Sequence, residues 1–188
     1  MQYRRLSSFS LDERVAINTG PLVALARMDA LEIAGHLPLE FVCPREVRAE
    51  LQEGARRGHI PVAPPWLRTQ ELRHPLSPAA VASLDAGEAA VIQMALEQGI
   101  AWVCMDELKG RRAAASAGLK VTGALGLLGM AKTHGIIPAM RPFVDKALIA
   151  GVHYDQELIR RVLAAAGEQA GSRRNIQEVH NDQQAEVP

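Results

Sequence analysis

The chain has 188 residues, of which 48% are hydrophobic and 22% charged, with 21 Lys and Arg against 21 Asp and Glu. This length and composition predict one globular domain with short extensions. The balanced charge excludes strong non-specific coating of nucleic acid, which needs a basic surface. Aromatic residues are only 4% of the chain, which argues against modules that stack unpaired bases on aromatic side chains.

The polar start of the chain carries no apolar segment typical of a signal peptide, and no apolar run elsewhere reaches the roughly 18 residues of a membrane span. We therefore expect a cytoplasmic protein without a membrane segment. Cys43 and Cys104 each end an apolar run, which is typical of a buried free thiol. The spacing of Cys and His residues does not indicate a zinc site.

Short apolar runs alternate with helical periodicity along most of the chain. The runs RVAIN, EFVC, AWVCM and LKVT predict strands. Each is followed by a predicted helix, in chain order PLVALARMDALEIA, PREVRAELQEGARR, ELKGRRAAASA and GALGLLGMAKT. Because buried parallel strands are apolar throughout and are joined by helices, this alternation predicts an α/β fold of three layers, α/β/α, with a central parallel sheet.

Glycine and proline mark the boundaries of these elements. The glycines at positions 35, 99, 118, 135 and 151 fall where helices should end, a place that favours the left-handed conformation. The Pro-rich residues 58–86 predict a loop with one extended segment, and the helix GEAAVIQMALEQ follows. That helix is apolar nearly all round, so it must be covered on more than one side.

The last predicted helix is DQELIRRVLAAAG, and the residues beyond it are polar. We expect disorder from about Ser172 onward. The predicted organisation is a polar extension over residues 1–13, a folded domain over 14–168 and a tail over 169–188.

Polar side chains recur where the predicted strands end. Asn18, Asp106 and Thr122 follow three of the strands, and Glu88 begins the helix before AWVCM. Open parallel sheets bind ligands outside the carboxyl ends of their strands. Carboxylates gathered there would form a hard-oxygen site suited to Mg²⁺ or Mn²⁺, which indicates phosphodiester hydrolysis.

Each of these residues also has a purely structural interpretation. Asp85 and Glu88 have the spacing of a capping box, and Asp106 can cap the helix that follows it. Asn18 or Thr19 can serve the start of the next helix. No single residue decides between capping and metal binding.

Taken together, the segments INTGPLVALARMDAL, CPREVRAEL, AGEAAVIQMAL, WVCMDELKGRRAA and LKVTGALGLLGMAK resemble the PIN-domain nucleases. The chain is most similar to the DUF3368 branch, whose members often lie beside small antitoxin-like proteins. The ending IIPAMRPFVDKALIAGVHYDQELIRRVLAAAGE is similar to the C-terminal extension of that branch. The resemblance spans residues 14–168 and implies a metal-dependent ribonuclease fold with acidic residues at the carboxyl edge of the sheet.

Carried over residue by residue, the four acidic positions of the family fall on Asn18, Glu50, Glu88 and Asp106. Glu46 competes with Glu50 for the second position, and Glu107 stands where a further acid is common. Without the resemblance, Glu46 and Glu50 are also typical of a solvated helix face. The resemblance also assigns the hydroxyl positions of the site to Thr19 and Thr122, which we expect to bind the substrate.

The departure from the family pattern is Asn18, because an amide donates an oxygen to a metal without bringing a negative charge. We therefore expect weaker Mg²⁺ binding. In the mechanism implied by the resemblance, Asp106 and Glu88 hold Mg²⁺ or Mn²⁺, and a metal-bound water attacks the phosphorus. Glu50 completes the shell or accepts a proton.

Arg111 and Arg112 are the basic pair nearest to Asp106 in sequence, and we expect them to hold the RNA backbone, although ordinary solvation explains them as well. The resemblance further implies an RNA substrate, a small antitoxin partner as in toxin-antitoxin pairs, and a homodimer. The helix over residues 19–34 or the C-terminal helix would supply the dimer interface.

Two other functions are compatible with the sequence. A nuclease-like protein that has lost efficient turnover would act by binding RNA or a partner protein, and Asn18 motivates this alternative. A nucleotide-binding module is suggested by GALGLLG, but its G-x-x-G-x-x-G spacing does not match the dinucleotide fingerprint.

Overall fold

The computed structural model describes residues 13–168. The strands are β1 (Glu13–Ile17), β2 (Leu39–Pro44), β3 (Arg68–Gln70), β4 (Trp102–Cys104) and β5 (Lys120–Thr122). The helices are α1 (Thr19–Arg27), α2 (Leu31–Gly35), α3 (Arg45–Arg56), α4 (Pro78–Ser83), α5 (Ala86–Gln98), α6 (Leu108–Ser116), α7 (Ala124–Thr133), α8 (Arg141–Ile149) and α9 (Gln156–Ala165). The predicted tail, and all of the predicted N-terminal extension except Glu13, lie outside the described residues.

The strands form a parallel sheet in the order β3-β2-β1-β4-β5. The chain moves outward from β1 through β2 and β3, returns to the other side of β1, and moves outward again through β4 and β5. The carboxyl ends of β1 and β4 are therefore neighbours where the strand order reverses. Open parallel sheets bind their ligands at this point.

Helices on both faces of the sheet complete the three-layer α/β/α fold, as predicted. Helix α5 packs against β1, β2 and β4 and contacts α3, α4 and α6, whereas α7 contacts α1, α2 and α9. The residues of α5 from Gly87 to Ile92 are all buried, which confirms that this helix is covered on several sides. None of the helices in the described part of the chain is long and apolar enough to cross a membrane.

The predicted strands are apolar because the helices cover them on both faces. The fully buried strand residues include Val15, Ala16, Ile17, Val42, Cys43, Val103 and Cys104. Both cysteines are free thiols in this core, as expected.

The predicted helix PLVALARMDALEIA is wrong as a single element, because α1 and α2 are separated at Asp29. The backbone of Asp29 has a φ of 55°, a left-handed conformation that Asp tolerates better than most residues. Its carboxylate accepts a hydrogen bond from Lys146 Nζ of α8 at 2.8 Å. The apolar periodicity continues through the break because Met28 and Ala30 are both in the core.

The Pro-rich segment 58–86 contains the one predicted extended segment, β3, and in addition the short helix α4. Ser77 Oγ caps α4 by accepting from the Ala80 amide at 3.1 Å, and Pro78 occupies its first turn. No residue of α4 is buried, so hydrophobic periodicity could not reveal this helix.

Gly35 does not end its helix in the left-handed conformation, in contrast to the other four predicted glycines, which do have positive φ. Its role is to admit the indole of Trp66. A Cβ at position 35 would lie 2.7 Å from Trp66 Nε1. This tryptophan in turn packs against Phe41 of β2, with ring centroids 5.1 Å apart.

Glu168 joins the last three helices through its carboxylate. Oε1 accepts from Lys132 Nζ of α7 at 2.6 Å and from the Met140 amide at 2.7 Å, and Oε2 accepts from the Arg141 amide at 2.9 Å. Burial alone would raise the pKa of Glu168, but these hydrogen bonds and the Lys132 charge outweigh it and hold the pKa below its ordinary value. The segment after α9 is thereby fixed to α7 and to the start of α8.

We predict that Glu168→Ala lowers the free energy of unfolding by about 2 kcal/mol, because it removes the acceptor of the Met140 and Arg141 amides and the ion pair with Lys132, which keeps only Ala166 O. Since the pKa is lower in the folded chain, this stabilisation is present above the unfolded pKa and is lost as the pH falls through the folded value. Urea denaturation at several pH values measures both effects. Glu157→Ala, which breaks an exposed ion pair on α9, should cost less than about 1 kcal/mol. Equal losses in the two variants would contradict the proposed attachment.

Candidate active site

Three of the predicted site residues lie where neighbouring strands end. The backbone N–H of Asn18 donates to Cys104 O at 3.0 Å, which joins the ends of β1 and β4. The Met105 amide donates to Thr122 O at 3.0 Å, which joins the ends of β4 and β5. The sheet therefore brings the positions of Asn18, Asp106 and Thr122 to one edge.

Asn18 stands before the first residue of α1, but its side chain does not cap that helix. The residue is only 6% exposed, and among the described residues nothing donates to its buried Oδ1. A buried amide oxygen without a donor is costly unless another group binds it. The capping interpretation of Asn18 is therefore excluded, and its oxygen is available to a ligand.

Glu88 is only 2% exposed and takes part in two sets of contacts. The predicted capping box forms, because the Glu88 amide donates to Asp85 Oδ1 at 2.6 Å and Glu88 Oε2 accepts from the Asp85 amide at 3.4 Å. Oε1 also accepts from the Gly110 amide of α6 at 3.2 Å. Burial, followed by the charge of Asp85, raises the pKa of Glu88, and Glu107 adds to this effect.

Asp106 follows β4 and is partly buried. Its Oδ1 accepts from the Ala124 amide at 2.9 Å, so this carboxylate caps α7 and not the helix that follows it in sequence. Burial raises the pKa of Asp106, while the Ala124 hydrogen bond and the Arg111 charge oppose the rise. The ionised form of both Glu88 and Asp106 is thus less favourable in the folded chain than in water.

Glu50 lies between the beginnings of α1 and α5. Its Oε2 accepts a short hydrogen bond from Thr19 Oγ1. A Cβ at Gly87, the residue before Glu88, would lie 2.5 Å from Glu50 Oε1. One turn earlier on α3, Glu46 has a buried Oε2 to which no described residue donates. The choice of Glu50 as the second acid stays a prediction, supported by its place beside Thr19 and Gly87.

The two arginines of α6 differ in their surroundings. Arg111 Nη1 donates to Met105 O at 2.6 Å and to Thr122 O at 2.9 Å, so this nitrogen is bound to the backbone. Arg112 is exposed. RNA contacts by either residue stay predictions, and the surroundings of Arg112 suit that role better.

Sequence reasoning missed the tyrosine of the C-terminal segment, Tyr154. Its hydroxyl is buried, and no described residue is hydrogen-bonded to it. Burial, followed by the charges of Asp106 and Cys104, raises the pKa of Tyr154. Nothing in the local sequence distinguishes this residue, because its proximity to Asp106 arises from the packing of the chain between α8 and α9.

The donor set determines which metal the site could take. Over residues 13–168, no group of three His, Cys, Asp or Glu side chains is arranged to hold an ion by itself. The oxygens of Glu88, Asp106 and Asn18 fit a hard divalent cation such as Mg²⁺, which commonly takes one or two carboxylates and keeps several waters. A cation here would favour the ionised form of both carboxylates and oppose the effect of burial.

A protein-family model described as DUF3368, a PIN domain, matches residues 14–168 of the chain. No curated protein and no solved structure matches the chain.

The raised pKa of Asp106 predicts the effect of removing its charge on stability. The folded chain binds this proton more tightly than the unfolded chain, so the carboxylate reduces stability as the pH rises through its folded pKa. Asp106→Asn keeps an oxygen for the Ala124 amide and removes the charge. In EDTA at neutral pH it should raise the melting temperature by a few degrees, and the gain should shrink as the pH falls towards about 3.9.

Thermal unfolding followed by circular dichroism measures this difference. The control is Asp29→Asn, which also removes one carboxylate charge but lies in an exposed ion pair with Lys146. A melting temperature that falls in Asp106→Asn at neutral pH would contradict the prediction.

Proposed function

The chain belongs to the PIN-domain family, and on this premise we propose that it is an endoribonuclease dependent on Mg²⁺ or Mn²⁺. Membership of this family points to a nuclease-type function, and PIN domains generally use divalent metal ions and commonly act on RNA. The observation that carries the proposal is the buried Oδ1 of Asn18, to which no residue of the described part donates, at the edge that also holds Glu88 and Asp106.

In this proposal Asn18, Glu88 and Asp106 hold the divalent ion. When bound, the ion would activate a water for attack on a phosphodiester and balance the charge that develops on the phosphate. Glu88 accepts backbone amides on both oxygens, from Gly110 and Asp85, and Asp106 accepts one on Oδ1, so hydrogen bonds fix the orientation of both carboxylates before any ion arrives. Orienting these two ligands for the ion would therefore cost little free energy.

Other residues would act on the substrate. Glu50, whose carboxylate accepts a hydrogen bond from the Thr19 hydroxyl, would accept a proton. The hydroxyl of Thr122 would bind the substrate at the ends of β4 and β5, where this residue is 7% exposed. Arg112 on α6 would contact a phosphate of the RNA from the exposed side.

The finer biological role rests on the family resemblance. We propose that the protein is the toxin of a toxin-antitoxin pair, with a small antitoxin partner, and that it forms a homodimer through α1–α2 or α9. Most apolar side chains of α1 lie in the core, including Leu22 and Leu25. The apolar side chains of α9, Ile159, Val162 and Leu163, are buried in the same core, so burial favours neither helix as the dimer interface.

A second candidate function is an RNA- or protein-binding regulator with weak or absent catalysis. Asn18 favours it, because the site has one negative charge fewer than the family pattern supplies. The two functions differ in their requirement for metal binding by the natural chain.

We predict that Asp106→Asn abolishes Mg²⁺- or Mn²⁺-dependent cleavage of RNA by the purified protein, because the charge of one proposed ligand is lost. A fluorescent single-stranded RNA, with and without EDTA, measures cleavage. Asp29→Asn, in an exposed ion pair remote from the strand ends, should cleave as the natural chain does. Undiminished cleavage by Asp106→Asn would assign the activity to a contaminant or to another site.

We predict that Asn18→Asp tightens Mn²⁺ binding by at least about tenfold, equivalent to about 1.4 kcal/mol, because it adds a charge to an oxygen that already lies buried in the site. Calorimetric titration measures the affinity. Gln98→Glu adds the same charge before β4, at the opposite edge of the sheet, and should leave Mn²⁺ affinity unchanged. Equal affinities of the natural chain and Asn18→Asp would exclude Asn18 as a ligand.

The same titration separates the two functions. A natural chain that binds Mn²⁺ at micromolar to low millimolar concentration supports the nuclease. Binding that appears only in Asn18→Asp supports the regulator.

A further inference from the structure

Arg111 of α6 joins the ends of two strands. Its Nη1 donates to Met105 O at 2.6 Å and to Thr122 O at 2.9 Å. Met105 immediately precedes Asp106, and its own amide donates to the same Thr122 oxygen at 3.0 Å. One guanidinium nitrogen thus fixes the backbone from which Asp106 projects.

Gly110, the residue before Arg111, fixes the other buried carboxylate. Its amide donates to Glu88 Oε1 at 3.2 Å. A Cβ at position 110 would lie only 2.5 Å from that oxygen. The close approach of Glu88 to α6 therefore requires glycine at this position.

Gly123, before α7, provides the space in which Asp106 and Arg111 meet. A Cβ at this position would overlap Asp106 Oδ1 and would lie 3.1 Å from Arg111 Nη1. The next amide along the chain, that of Ala124, donates to Asp106. The contacts of Arg111 and the orientation of Asp106 are therefore parts of one packed arrangement.

We propose that Gly110 and Arg111, consecutive residues of α6, are positioning residues that fix Glu88 and Asp106 relative to each other. Gly110 acts on Glu88 through its amide and its missing side chain, and Arg111 acts on Asp106 through the carbonyls of Met105 and Thr122. Arg111 therefore serves the metal ligands and not the RNA backbone. This inference rests on the proposed function, because it assigns Glu88 and Asp106 to the metal.

The first experiment compares Arg111→Met with Arg112→Met, since the two changes remove the same charge from adjacent residues. We expect Arg111→Met to weaken Mn²⁺ binding at least tenfold by calorimetry and to lower kcat. Its RNA affinity in EDTA and the salt dependence of that affinity should stay within twofold of the natural chain. Arg112→Met should weaken RNA binding and reduce the salt dependence, with Mn²⁺ affinity unchanged.

Arg111→Lys tests whether Mn²⁺ affinity requires only the hydrogen bonds to the two carbonyls or the guanidinium group itself. An ammonium can donate to both carbonyls, so this variant should recover part of the Mn²⁺ affinity lost in Arg111→Met. The opposite pattern in the arginine pair, with Arg111→Met raising KM and reducing the salt dependence while Mn²⁺ affinity is unchanged, would overturn the proposal.

Gly110→Ala provides an independent variant. Alanine is favoured over glycine in a helix, so a loss of Mn²⁺ affinity in this variant cannot be attributed to a weaker α6. We expect at least a tenfold loss because the methyl group displaces Glu88. Gly54→Ala in α3 is the matched control, since its Cβ would find its nearest neighbour at 3.6 Å. Unchanged Mn²⁺ affinity in Gly110→Ala would overturn the role of Gly110.

Amide hydrogen exchange of the metal-free full chain tests the arrangement without any nuclease activity. The Ala124 amide should exchange at least tenfold faster in Arg111→Met than in the natural chain, whereas Arg112→Met should leave it unchanged. Unaltered protection of Ala124 in Arg111→Met would overturn the proposal even if the protein is a nuclease. Faster exchange in a protein that neither binds Mn²⁺ nor cleaves RNA would support the positioning role and reject the proposed function instead.

Discussion

The candidate site depends on two carboxylates at the edge of the sheet, the buried Glu88 and the partly buried Asp106, whose ionised forms are disfavoured by desolvation. Glu88 receives the Gly110 amide from the first turn of α6, and Asp106 receives the Ala124 amide at the start of α7. These amides lie at the positive ends of the two helices, which favours negative charge. The pKa values of both carboxyl groups are nevertheless raised by burial. The hydrogen bonds of the fold thus hold the two carboxylates in place but do not fully offset the cost of burying their charges. A bound cation would offset the rest of that cost.

Capping and metal binding are compatible roles for these acids. The capping box between Asp85 and Glu88 determines where α5 begins, and the same box aims the remaining Glu88 oxygen at α6. Asp106 caps α7 and thereby ties β4 to the helix after β5. In both cases the hydrogen bond that stabilises the fold also orients the side chain for a ligand. A carboxylate held in this way needs little reorganisation on binding.

The sequence could predict the features that depend on apolar pattern and chain order. The four longest strand signals, their helices and the strand-end positions of Asn18, Asp106 and Thr122 all follow from buried parallel strands. The pattern could not reveal α4, which buries nothing, or the break at Asp29, where the apolar residues continue on both sides.

The prediction of Glu50 as a site residue required the family resemblance, because this residue lies mid-helix, away from any strand end. The role of Arg111 depends on two carbonyls from different strands, and no local pattern encodes that contact. Two glycines of GALGLLG likewise have roles that only the packed structure reveals. A side chain at Gly123 would meet Asp106, and one at Gly126 would meet Thr122.

The cost of burying negative charge at this edge gives a physical reason for an amide at position 18. A third carboxylate beside Glu88 and Asp106 would raise the cost of burying charge in the chain without an ion, since like charges at short distance each disfavour ionisation of the others. Asn18 keeps an oxygen in the buried position and adds no charge to that cost. In the proposed site, Asn18 would therefore bind the metal more weakly than an acid at this position and would make the metal-free fold more stable. A site of this kind would fill only when the divalent ion is abundant, so that the ion concentration, together with the arrangement of α6, would determine how much of the protein is active.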